Sequence, residues 1–203
     1  MQGLFITFEG LDGSGKTTQV DLLHKYISQQ RPIFTTREPG GTGVGEKIRE
    51  ILKTSFMEPM TELFLFYASR VEHTQKIIMP MLNRGYVVVC DRFIDSTLAY
   101  QVYGRGIDKK IIDELNEISV KGLKPDLTIF IDLPTEVAYE RNIKRGKLDR
   151  IESEALDFYK KVADGYKAIV EEDRERFLVI DGLENRENIF EKIKTKVDEL
   201  LRR

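Results

Sequence analysis

The chain has a single cysteine in 203 residues, only two histidines, and no excess of either charge. Cys90 alone can close no internal disulfide, and its place at the end of Val87-Val88-Val89 reads as a buried strand thiol. His24 and His73 stand apart, with no Cys or second His at ligand spacing, so no zinc site is expected. Lys and Arg number 32 against 34 Asp and Glu, giving a net charge of -2 and no basic field of the kind that attracts nucleic acid. Any anion site must therefore be local. No apolar run reaches membrane-spanning length, and the N-terminus lacks a basic, then apolar, cleavable stretch; a cytoplasmic chain with no membrane partner is expected. Internal repeats, low-complexity tracts and linker-like Pro/Gly/Ser stretches are also missing, so residues 1–203 read as one domain around one sizeable core.

What is present alternates. Short runs rich in β-branched or aromatic residues at Leu4 to Phe8, Ile33 to Thr36, Tyr86 to Cys90, Leu127 to Asp132 and Phe177 to Ile180 predict five strands. Between them, helical spacing covers roughly Lys16 to Gln29, Gly45 to Lys53, Pro59 to Leu82, Lys109 to Lys121, Thr135 to Lys144, Ala155 to Glu172 and Arg186 to Leu201. Pro80 predicts a kink or early end in the third of these. Strand and helix in alternation imply an α/β fold, a five-stranded parallel sheet flanked by helices on both faces.

The first strand runs into Gly10-Leu11-Asp12-Gly13-Ser14-Gly15-Lys16-Thr17 and then into a helix. This is the setting of a triphosphate-binding loop. Glycines let backbone amides converge on an anion, the helix N-terminus adds partial positive charge, Lys16 reaches the outer phosphates, and the Thr17 hydroxyl can ligate Mg²⁺. Such a loop does not say where the phosphoryl group goes. In "YVVVCDRFIDSTLAYQ" a buried strand ends at Asp91, a position suited to a magnesium carboxylate, and the next residue is Arg92, whose fixed fork suits a second phosphate. A strand-end ion pair would use the same two residues. Asp12 is unfavourable beside a triphosphate unless it serves a sugar hydroxyl or the metal, although Asp also favours turns.

"FEGLDGSGKTTQ", "TREPGGT", "LFLFYASRVEH", "VVVCDRFIDSTLAYQ" and "RGKLDRIE", in this order and spacing, resemble the thymidylate kinase family from the first strand to at least Tyr166. The resemblance implies a P-loop NTPase three-layer fold, ATP and Mg²⁺, dTMP as phosphoryl acceptor, and a homodimer. It implies that Phe66 stacks on thymine and that Arg70, one turn later, donates to a base carbonyl; without it, Phe66, in the almost continuous apolar run Leu63 to Tyr67, reads as core. It places Ser96 and Thr97 near the base edge, Tyr100 against the sugar 2′ position, Gln101 beside it, and Asp12 on the 3′-hydroxyl. Arg92 holds the acceptor phosphate. Glu38, Gly40 and Gly41 lie in the loop where acceptor phosphate and sugar enter, while Arg37 and Arg49 receive no role.

Lys16 is the only cation between Gly10 and Thr17, where some family members carry an additional arginine. The basic residues of "YERNIKRGKLDRIE" supply the missing charge. Arg141, Lys144 and Arg145 share a helical face, Gly146 ends or bends that helix, and Lys147 and Arg150 follow. By resemblance this is a mobile lid around residues 141–152, with Arg145 stabilising the transferring group and Arg141 contacting ATP; a solvated basic helix end has the same spacing. A nucleoside kinase would need a general base for a hydroxyl acceptor. A GTP switch would ordinarily carry an Asn-Lys-x-Asp stretch, which is missing.

Overall fold

Val87 to Cys90 are enclosed on both sides because their strand lies inside a parallel sheet covered by helices on each face. The computed structural model describes residues 3–146 and 149–202. Among them, β1 Leu4–Glu9, β2 Ile33–Arg37, β3 Val87–Asp91, β4 Leu127–Asp132 and β5 Phe177–Asp181 form a sheet in the order β2-β3-β1-β4-β5. All five predicted strands are present, within about a residue of the predicted ends. Register sets Phe8 of β1 beside Asp91 of β3, so the loop after β1 and the carboxylate ending β3 emerge together at the C-terminal edge of the sheet.

Alternating side chains divide the core. Ile6, Phe8, Val87 and Val89 face one layer, where α1 (Lys16–Ile27) and α9 (Arg186–Leu201) contribute Leu23, Ile27, Ile193 and Val197. Phe5, Val88 and Cys90 face the other, against Ile78 and Phe93. Each fully buried aliphatic side chain contributes roughly 1.5–3 kcal/mol by leaving water, so the central strands are the least movable part of the molecule. The buried Cys90 thiol matches the strand-thiol expectation.

Helix α2 (Gly43–Thr54) begins two residues before the predicted start, because the Thr42 hydroxyl accepts from Gly45 N at 2.9 Å and caps it. The predicted long helix is α3 (Pro59–His73), a π turn at Thr74–Ile78, and α4 (Met79–Asn83). Disturbance was expected at Pro80; the structure widens the helix in the turn before it, with Met79 N bonding Thr74 O five residues back. Helices α6 (Lys109–Val120), α7 (Thr135–Arg145) and α8 (Leu156–Glu172) follow the predicted spacing. The predicted helices leave out the stretch after β3. It forms α5 (Ile94–Thr97) and a second π segment, Leu98–Gly104, packed on α8. The described residues include no helix long and apolar enough to cross a membrane.

Candidate active site

The glycine-rich loop between β1 and α1 is shaped by left-handed glycines. Gly10 has φ +136°, and a Cβ there would stand 2.6 Å from Ile131 O, so only glycine lets the chain turn this tightly against β4. Leu11 buries its side chain in the core, and any contribution it makes to a ligand runs through its backbone. Lys16 Nζ donates to Gly10 O at 3.0 Å and Leu11 O at 2.8 Å, which holds the ammonium over the loop. Burial, and then the nearby Arg92 charge, lower its pKa to about 8. Ser14 Oγ is buried without a partner. Thr17 Oγ1 donates to Asp91 Oδ2 at 3.1 Å, and Asp91 Oδ1 is a buried acceptor with no partner. The described residues hold no cluster of three or more His, Cys, Asp or Glu able to bind a metal by themselves. A hydroxyl beside one under-used carboxylate instead suits Mg²⁺, which takes few protein ligands and completes its shell with water and phosphate oxygens.

Two cavities open from this edge. One is lined by Gly13, Gly15, Lys16, Thr17, Thr18, Asp91 and Arg145, and the other by Phe66, Arg70, Phe93, Ser96, Thr97, Tyr100 and Gln101. Asp12, Glu38, Arg49, Lys53, Arg92, Asp149 and Glu152 line both. The first is polar and borders the loop. The second has an aromatic wall.

Arg92 stands at the junction. Its φ of +71° is uncommon outside glycine, and the turn is held by Arg92 N donating to Phe8 O at 2.9 Å and Phe93 N donating to Glu9 Oε1 at 2.7 Å. The guanidinium donates to Asp12 (2.7 Å), Ser96 (3.1 Å), Tyr166 (3.2 Å) and Tyr100 (3.3 Å). Burial works against ionisation of Asp12, but Arg92 and then Lys16 outweigh it and hold the carboxyl well below its usual range. Under Arg92 lies Glu9, which sequence reading missed. Burial first, and then the Asp95 charge, raise its pKa to about 7. Its Oε2 accepts from Ser96 Oγ at 2.5 Å and Tyr166 Oη at 2.9 Å, the same two hydroxyls that support Arg92.

The base-side residues divide between open and engaged groups. Phe66 is half-buried and lines the cavity, while its neighbours Leu63 and Tyr67 take the core positions. Arg70 is only 2% exposed. Its Nε donates to Glu38 Oε2 at 2.7 Å and its Nη2 to Phe93 O at 3.0 Å, while buried Nη1 has no partner. An unsatisfied buried guanidinium N–H is costly unless another molecule supplies an acceptor. Glu38 also accepts from His73 Nδ1 at 3.0 Å, so both its oxygens are engaged in fixing α3. Thr97 is buried at the cavity wall. Ser96, expected at the base edge, has its hydroxyl committed to Glu9, Arg92 and Tyr166, and Gln101 Nε2 donates to Glu62 Oε1 at 3.0 Å.

The basic segment separates into groups. Arg141 Nη1 donates to Gly13 O at 3.3 Å, and Arg145 pairs with Glu152 while lining the cavity that borders the glycine-rich loop. Lys147 lies outside the described residues. Arg150, grouped with the basic flap by sequence, turns inward instead to buried Glu62 and to Leu52 O, because α2 and α3 present acceptors there. Arg37 pairs with Glu46, and Arg49 donates to Pro39 O at 2.9 Å, so both brace the loop after β2.

The thymidylate kinase family model matches residues 8–193. The chain belongs to the thymidylate kinase family. It is 50% identical over 184 residues to the thymidylate kinase of Sulfurihydrogenibium sp., covering 89% of each chain. It is 47% identical over 193 residues to that of Kosmotoga olearia, covering 94% of this chain and 93% of the other. A crystal structure of thymidylate kinase from Ehrlichia chaffeensis superposes with a TM-score of 0.80 at 37% identity, over 98% of this chain and 99% of that one. Thymidylate kinases are nucleoside monophosphate kinases, so this chain is a phosphotransferase with the five-stranded parallel fold of its relatives.

Proposed function

We propose that this chain transfers the γ-phosphoryl group of ATP to dTMP, giving ADP and dTDP, with Mg²⁺ as cofactor, and that it works in the cytoplasm as a homodimer. The observation that carries the reading is Arg92, which lines both cavities and so can hold an acceptor phosphate facing the donor's triphosphate. In-line displacement needs that alignment more than it needs a base, since the attacking phosphate oxygen is already anionic near neutral pH.

On this reading Gly10 to Thr17 cradle the ATP phosphates, and Lys16 and Arg145 neutralise charge on the transferring group. Arg141 braces the loop from the ATP side. Thr17 and Asp91 would hold Mg²⁺, which would supply neutralisation of phosphate charge. In the other cavity Phe66 stacks on thymine and Arg70 Nη1 donates to a base carbonyl, the acceptor that its burial calls for. Tyr100 and Asp12 flank the sugar, Thr97 and Gln101 border the base, and Ser96 acts through Arg92. Residues 141–152 serve as a lid that excludes water. The homodimer reading is supported by apolar side chains left at the surface, Met60 and Phe64 on α3 and Ile111 and Ile118 on α6, which packs against α3. Ile94 to Tyr103, by contrast, contributes mainly buried residues and site wall. Light scattering checks the assembly: a mass of one 23.5 kDa chain across micromolar concentrations rejects it.

The activity test measures ADP release from ATP·Mg²⁺ with dTMP, dUMP, thymidine, dCMP and AMP as separate acceptors. A rate dominated by dTMP is expected. Preference for another monophosphate overturns the base pocket, thymidine without dTMP activity selects a nucleoside kinase, and a rate indifferent to acceptor rejects acceptor transfer altogether.

A further inference from the structure

Two walls of the acceptor cavity are tied to a carboxylate that lines neither cavity. Glu62 is 1% exposed and lies on α3 at helical spacing from Phe66 and Arg70, four and eight residues before them. Its Oε1 accepts from Gln101 Nε2 at 3.0 Å and Arg105 Nε at 3.2 Å, and its Oε2 from Arg105 Nη2 at 3.2 Å and Arg150 Nη2 at 2.5 Å. Arg105 also meets Glu154 at 2.6 Å, so two guanidinium groups and two carboxylates balance. On either side of Arg150, Asp149 and Ile151 line the acceptor cavity.

We propose that Glu62 is a positioning residue for the acceptor nucleotide, fixing the Gln101 amide directly and the 149–152 wall through Arg150. The inference rests on the reading of that cavity as the dTMP site. A carboxylate only accepts hydrogen bonds, so Gln101 must turn its NH₂ toward Glu62, leaving its carbonyl oxygen as the group it can offer the cavity. An acceptor there suits a base with a ring N–H and disfavours cytosine, whose ring nitrogen is itself an acceptor. A neutral amide at position 62 would satisfy Gln101 in either orientation and would leave two half-buried arginines short of an acceptor.

The test compares wild type, Glu62→Gln, Arg150→Met and the double variant by KM and kcat for dTMP, dCMP and ATP, with thermal melts alongside. Each single change is expected to raise KM for dTMP about tenfold and KM for ATP less than about threefold, and the double variant to be no worse than Glu62→Gln alone, because Arg150 acts through its contact with Glu62. Glu62→Gln alone should also narrow the preference for dTMP over dCMP. Folded variants with unchanged KM for dTMP, parallel losses for dTMP and ATP, or additive effects overturn the proposal. Should Glu62→Gln not fold, Arg150→Met carries the test with the same KM criteria. A wild type inactive on dTMP but active on another acceptor defeats the reading of the cavity instead.

Discussion

Arg92 Nη2 stands 2.7 Å from Asp12 Oδ1, and this pair lies where the two cavities join. The side chains are 16% and 24% exposed, enough shielding to strengthen their attraction and enough access for an incoming phosphate to compete for the guanidinium. The strained Arg92 backbone, tied to Phe8 and Glu9, aims the group before any ligand arrives.

Arg92→Ala should therefore harm dTMP use far more than ATP binding. Loss of a charge-assisted phosphate clamp in a shielded site predicts a fall in kcat/KM for dTMP of about 10³-fold, with ATP affinity within a few-fold of wild type. Calorimetric titration with each nucleotide separates the two. Equal losses would remove Arg92 from the acceptor side.

Lys16, with its pKa lowered to about 8, predicts a pH-dependent ATP affinity. Below pH 8 the ammonium is already charged and affinity should be flat; above it, binding must take up a proton, and affinity should fall by up to about tenfold per pH unit until the bound-state pKa is passed. Stability should move oppositely. Burial penalises the charged form, so this residue's unfavourable contribution is present below pH 8 and is relieved as pH rises from about 8 toward the ordinary lysine value. Lys16→Met should bind ATP weakly with no such slope. A slope persisting in that variant would assign the titration to another group.

Phe66 is half-buried at the cavity wall, so truncation should cost binding more than folding. Loss of one base-stacking face is worth about 1–3 kcal/mol, which predicts a rise of roughly 5- to 150-fold in KM for dTMP for Phe66→Ala. Thermal melts run alongside the kinetics decide the matter. A large drop in melting temperature with unchanged KM would return Phe66 to the core.

Glu9 carries a different pH signature, because its pKa is raised from the ordinary carboxylate value to about 7. Between pH 4.5 and 7 the folded protein holds this proton more tightly than the unfolded chain does. Its favourable contribution is thus lost as pH rises through that window and is gone above it. Compared with Glu9→Gln, wild type should lose stability from about pH 5 to about pH 7 and run parallel above. Denaturant midpoints for both proteins at several pH values test this, and a constant difference across the window would mean that Glu9 titrates normally.

Much of the site was legible because its parts are neighbours in the chain. Gly10 to Thr17 form a strand, loop and helix within one local unit, and Asp91 and Arg92 end an apolar run, so residue order alone placed them. Phe66 and Arg70 are four apart on a helix, and their shared face follows from its pitch. The five strands were readable for the same reason: each is a short apolar run with punctuation at both ends. The π segment at Leu98–Gly104 was not, since its apolar pattern matches neither helical nor strand spacing cleanly and its shape depends on α8 packed against it.

Other features had no local signal. Glu9 reads as one more residue of a strand, and only the fold brings Tyr166, 157 positions away, onto its carboxylate. Arg150 reads as one basic residue among several, and only the buried acceptor Glu62, 88 positions earlier, turns it inward and separates it from Arg145. Thus the sequence by itself determined the glycine-rich loop between strand and helix, the alternation that builds the sheet, and the family. The tertiary structure decided which charges are partners and which remain available to a ligand, because burial and long-range pairing set the energy of a charge, and neither is a property of a residue's neighbours in the chain.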